Sequence, residues 1–88
     1  MTKCKLGDIV ASKNGKYKDE LFVVTNFIDE EYCFISNGKQ RKLSNPKKKK
    51  VKHLLVLDKN IELEQKLKNN AYILDSDIRK IISNYKNK

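Results

Sequence analysis

Two Asn-Gly pairs, Asn14-Gly15 and Asn37-Gly38, punctuate the first half of the chain, each beside short runs of β-branched and aromatic residues. Two-residue hairpin turns need positive φ at their centre, which Asn and Gly tolerate with little strain. The pairs therefore predict antiparallel strands joined by tight turns. Residues 6–13 read as a first strand opened by Gly7 and centred on Ile9 and Val10. Residues 21–28, Leu-Phe-Val-Val-Thr-Asn-Phe-Ile, are the strongest strand signal in the chain. Asp29-Glu30 is an acidic turn, and residues 31–36 read as a third strand with Tyr32 and Phe34 in the core. Residues 39–43 read as a short polar returning strand, and residues 51–57 as a fifth. Five short strands at close spacing predict a mainly β fold, a small barrel.

After Leu57 the period changes. Asp58 or Asn60 can cap a short helix carrying Leu63 and Leu67, ended by Asn69-Asn70. A second helix is predicted from an Asp75 or Ser76 cap, with Ile78, Ile81, Ile82 and Tyr85 on one stripe. It is too short to be stable alone, so its stripe must bury against the barrel or against a partner protein. The expected organisation is a barrel over residues 1–57 and a helical extension packed on it over residues 58–88. With 88 residues, this is one domain.

Net charge is +9, from 20 Lys and Arg against 11 Asp and Glu. Lysine codon bias would spread that excess evenly, and it is not even. Residues 1–38 carry a net −1 and residues 54–88 a net +2, while residues 39–53 carry eight basic groups and no acid. A segment cleared of acids points to a polyanionic partner, nucleic acid or an anionic membrane surface. Residues 76–86 lack the broad basic face of an interfacial helix, and the longest apolar runs are far too short to span a bilayer. No membrane partner is therefore expected.

Cys4 and Cys33 lie far apart with only His53 to assist, so neither a metal site nor a disulfide framework is expected. The reading is two reduced thiols in a cytoplasmic chain. Residues 1–20 hold no apolar run suited to a signal peptide. No nucleophile stands with a base, no glycine-rich phosphate loop is present, and Asp29, Glu30 and Glu31 are consecutive in a turn. No catalysis and no cofactor are expected.

The run from Gly7 to Gly15 followed by Leu21 to Val24 resembles the KOW motif, a strand, a loop and a returning strand. The run after the second Asn-Gly, Asn45-Pro46-Lys47-Lys48-Lys49-Lys50-Val51-Lys52-His53-Leu54, makes the resemblance more specific. Together they look like the bacterial KOW-domain RNA-binding proteins of Firmicutes, related to an archaeal and eukaryotic large-subunit ribosomal protein family. The resemblance covers residues 6–54 well and the helices loosely. It implies an SH3-like barrel that contacts structured RNA, plausibly ribosomal RNA, with ribosomal proteins as further partners, in a monomer. The family usually has a glycine near position 19, where this chain has Asp19, whose charge would repel phosphate.

The candidate RNA contacts are Lys13, Asn14, Lys16, Tyr17 and Lys18 in the first loop, and Lys39, Arg41, Lys42, Lys47, Lys48, Lys49, Lys50, Lys52 and His53 beyond the second turn. Tyr17 could stack on a base, and Arg41 could grip phosphate bidentately. Strand alternation after Pro46 would send Lys48, Lys50 and Lys52 to one side and Lys47 and Lys49 to the other. The expectation is a basic strip along one side of the fold. The competing reading is a protein-interaction module that uses the Ile78, Ile81, Ile82 and Tyr85 stripe.

Overall fold

The computed structural model describes residues 4–13 and 20–87. Strands β1 (Ile9–Ser12), β2 (Leu21–Phe27), β3 (Tyr32–Ser36), β4 (Lys47–Lys50) and β5 (Leu54–Asp58) form one sheet in the order β4-β3-β2-β1-β5. All its pairings are antiparallel. The outer strands β4 and β5 are joined only by a three-residue 3-10 turn, Val51–His53. At about 2 Å of rise per residue, so short a link forces the sheet to roll until its two edges approach. Register shifts in the β1–β5 and β2–β3 ladders supply local bends of the kind that permit such rolling. The result is a mainly β, SH3-like sheet that stays open, followed by helices α1 (Ile61–Lys68) and α2 (Asp75–Lys86).

Alternation along the strands builds two cores. Val10, Phe22, Val24, Cys33, Ile35 and Leu54 fill the inside of the roll together with Cys4. Ile9 and Val23 face outward and are covered by Leu63, Ile78 and Ile82 from the helices. Full burial of a side chain such as Phe22 or Ile78 contributes about 1.5–3 kcal/mol, so the helices are integral to the fold. The predicted stripe of α2 is spent here: Ile78 and Ile82 are buried, with Ile81 and Tyr85 half-buried beside them.

Two glycines seat the two helices. Gly7 has φ +83°, and a Cβ there would lie 2.7 Å from the Glu64 nitrogen and 2.9 Å from the Asn60 carbonyl oxygen. Gly38 has φ +76°, and a Cβ there would lie 2.5 Å from the Asp75 carbonyl oxygen. Each combines left-handed backbone with direct helix contact, which no other residue accommodates. Asn60 caps α1 as expected, accepting from the Leu63 nitrogen at 2.8 Å. In α2 the expectation shifts: Leu74 takes the cap position, and Asp77 Oδ2 accepts from its nitrogen at 3.0 Å. Asp75 lies inside the helix, and its Oδ1 accepts from the Leu43 nitrogen at 2.7 Å.

Three strand expectations need correction. Residues 39–43 are not a strand; the lysine run Lys47–Lys50 is the strand that pairs with β3. The Asn37-Gly38 step is not a two-residue hairpin, since among the described residues only Gly7, Gly38 and Asn70 have positive φ. Instead the buried Asn37 side chain accepts from the Lys39 and Arg41 nitrogens at 2.9 and 3.0 Å, while the Arg41 carbonyl accepts from the Asn37 and Gly38 nitrogens. This polar turn holds its own shape and leaves residues 39–43 free of the sheet. Residues 51–53 form the 3-10 turn, so the last strand starts at Leu54.

Candidate nucleic-acid interface

The 3-10 turn is held from both sides. Val51 donates from its nitrogen to the Glu31 carbonyl at 2.8 Å, and Lys13, just past β1, donates from its nitrogen to the His53 carbonyl at 2.9 Å. Residues distant in sequence, Lys13 and residues 49–53, therefore converge at one corner of the roll. Lys13 and Lys52 are exposed; Lys49, Lys50 and His53 are half-exposed. The His53 imidazole is held below its usual pKa, first by partial desolvation and then by Lys52, Lys49, Lys50 and Lys13. Among the described residues, the charges acting on it are all lysines. At the neighbouring acidic turn, Asp29 Oδ1 accepts from the Glu31 and Tyr32 nitrogens at 2.8 and 2.9 Å, which turns that carboxylate onto its own backbone.

The eight cations of residues 39–53 do not share one side. Register pairs Lys47 with Ile35 and Lys49 with Cys33, on the inward face, and Lys48 with Phe34 and Lys50 with Tyr32, on the outward face. Lys39, Arg41 and Lys42 lie in the loop at the far end of β4 from the 3-10 turn. Four residues at about 3.3 Å each separate those ends by roughly 10 Å or more. What unites the lysines is the edge. β4 is an outer strand of the sheet, so side chains leaving either face fan around one rim. Lys49 and Lys50 point to opposite faces, yet both act on His53. Asn14, Lys16, Tyr17, Lys18 and Asp19 lie outside the described residues.

Tyr32 and Phe34 were expected in the core and are not there. Cys33 and Ile35, the alternate residues of β3, point inward and are fully buried. Tyr32 and Phe34 point outward and half-exposed, and among the described residues they join neither core cluster. Lys48 Nζ lies 4.6 Å and Lys50 Nζ 5.7 Å from the centroid of the Tyr32 ring. An ammonium over an aromatic face is drawn to the ring quadrupole, so Tyr32 gathers both lysines on the outer face.

Neither a protein-family model nor a curated protein matches this chain.

Far from the turn, a groove of about 320 Å3 runs between α2 and the residue 37–43 loop. Lys39, Arg79 and Lys86 line it, but so does Glu20, and Arg79 Nη1 is already committed to the Gly38 carbonyl at 2.6 Å. It is a weaker site for an anion than the 3-10 turn, where Lys13, Lys49, Lys50 and Lys52 act together on His53. Among the described residues no three His, Cys, Asp or Glu side chains come together as metal ligands, and no helix is long and apolar enough to cross a membrane.

Proposed function

We propose that this protein is a non-catalytic RNA-binding module that holds a phosphate backbone along the rim formed by β4 and the 3-10 turn. The observation that carries this reading is the convergence of Lys13 with Lys49, Lys50 and Lys52 at one corner of the roll, where the Lys13 nitrogen donates to the His53 carbonyl and, among the described residues, the charges acting on His53 are lysines. Phosphate binding needs several cations on one continuous surface, because affinity grows with the counterions each contact releases. Backbone hydrogen bonds to the 3-10 turn hold together the chain segments that carry these cations.

The resemblance of residues 6–54 to bacterial KOW-domain proteins, together with the SH3-like roll, supports structured RNA as the polyanion, with ribosomal RNA and ribosomal proteins as its setting in the cytoplasm. The protein-interaction reading has less to work with, since the α2 stripe is occupied by the sheet. Filter binding of a structured RNA across a salt series tests the proposal. Five lysines on phosphate (Lys13, Lys48, Lys49, Lys50 and Lys52) predict a log–log slope of about −3.5 to −4.5. Charge reversal at Lys49 and Lys52 should weaken binding uniformly across RNA sequences. Absence of affinity at low salt would end the proposal.

A further inference from the structure

We propose that the outward face of β3 and β4 is a second contact, in which Tyr32, flanked by Phe34, stacks on an unpaired base of the bound RNA. This rests on the RNA-binding reading and adds to it the kind of RNA preferred: one with an unpaired nucleotide in a loop or bulge.

The outer face of the sheet has two halves. The helices cover the half carrying Ile9 and Val23. The other half carries Asn26, Phe34 and Lys48 in one cross-strand row and Tyr32 and Lys50 in the next. Tyr32 and Phe34 stand side by side there, partly exposed, and among the described residues they join neither core cluster. Their surroundings do suit a nucleotide. A base presents a flat π-face to the Tyr32 ring, and the ammonium groups of Lys48 and Lys50 already stand over that ring. On binding, the base takes the ring and the lysines move outward onto the flanking phosphates, exchanging a cation–π contact for an ion pair. Paired bases are stacked within their own helix and do not offer such a face. Lys50 belongs to both surfaces: it acts on His53 and it lies over Tyr32. The rim and the platform are therefore contiguous, and one strand of RNA can pass from one to the other.

Two RNAs sharing the same stem test this, one closed by a loop containing 2-aminopurine and one fully paired. The loop RNA should bind about fivefold to a hundredfold more tightly, the range that one base–aromatic stack produces, and 2-aminopurine fluorescence should be quenched. Tyr32→Leu should abolish the preference and the quenching while the duplex is still bound with a salt-dependent affinity. Tyr32→Trp should retain both. Circular dichroism confirms that each variant is folded. Loop binding by Tyr32→Leu equal to that of the unaltered protein would overturn the platform and leave the rim standing. A dimer that Tyr32→Leu dissolves would assign the face to a second copy and overturn it too. If neither RNA binds, the rim itself fails.

Discussion

Arg79 donates from Nη1 to the carbonyl of Gly38 at 2.6 Å, joining α2 to a turn forty-one residues earlier in the chain. The same turn meets the helix backbone where a Gly38 Cβ would lie 2.5 Å from the Asp75 oxygen. Gly38→Ala thus combines left-handed strain with a backbone clash, and should cost about 2–4 kcal/mol in urea unfolding. Arg79→Ala removes one charge-assisted hydrogen bond at a partly exposed site and should cost about 1 kcal/mol. Equal losses for the two variants would show that the bond, and not the close approach, seats the helix.

On the proposed reading, RNA binding should depend on pH through His53. Its pKa in the folded protein lies below the usual 6.5, with partial desolvation the first cause and four lysines the rest. A phosphate placed among those lysines offsets their repulsion and raises the imidazole pKa in the complex. Binding is then coupled to proton uptake, so affinity should rise as pH falls from about 7.5 to 5.5. Each unit by which the complex raises that pKa strengthens binding by at most about tenfold. His53→Gln should flatten the profile while keeping most of the affinity at pH 7.5. Fluorescence anisotropy at constant ionic strength reads both, and an unchanged profile in the variant would remove His53 from the interface.

Much of this fold is legible in the residues, because its elements obey single rules. The β-branched run of β2 has one solution, while the cap of α1, open between Asp58 and Asn60, falls to Asn60, and the isoleucine stripe of α2, open between the sheet and a partner, packs on the sheet. The third strand has no single solution: residues 32–35 are Tyr-Cys-Phe-Ile, apolar at both phases, so periodicity cannot say which pair faces in. The rolled interior selects the smaller pair, Cys33 and Ile35. The strand expected at residues 39–43 failed because an Asn37 side chain replaces strand pairing with its own hydrogen bonds, whereas the alternation expected of the lysines after Pro46 holds over Lys47–Lys50 and stops at the 3-10 turn that takes Lys52. The convergence of Lys13 with residues 49–53 is a product of sheet order, which local sequence does not encode.

Burial governs the two cysteines. Cys33 is fully buried and its thiol is pushed up to about 12, by desolvation and then by neighbouring Cys4; Cys4 is itself raised, desolvation again first. Only thiolate reacts readily, so neither should be modified by a disulfide reagent at pH 8 in the folded protein, and both should react in denaturant. Rapid labelling of one thiol under native conditions would mean that the inner core opens on its own.

Asp8 is a buried acid whose charge works against the fold. It is 3% exposed, its Oδ2 accepts from the Lys5 nitrogen at 2.8 Å, and its pKa is raised, chiefly by desolvation. A carboxyl with a raised folded pKa binds its proton more readily folded than unfolded. Its contribution to stability is therefore most favourable below the unfolded value of about 3.9, and declines as pH rises through the folded pKa. Asp8→Asn keeps an oxygen for the Lys5 nitrogen and abolishes the charge. In urea unfolding the variant should be at least as stable as the unaltered protein at pH 7, and that advantage should vanish near pH 3.5. Asp8→Ala lacks the acceptor and should lose about 1–2 kcal/mol at both pH values. If Asp8→Asn were as damaging as Asp8→Ala at pH 7, the carboxylate's attraction to Lys59 and Lys5 would outweigh its burial, reversing the order of causes assigned here.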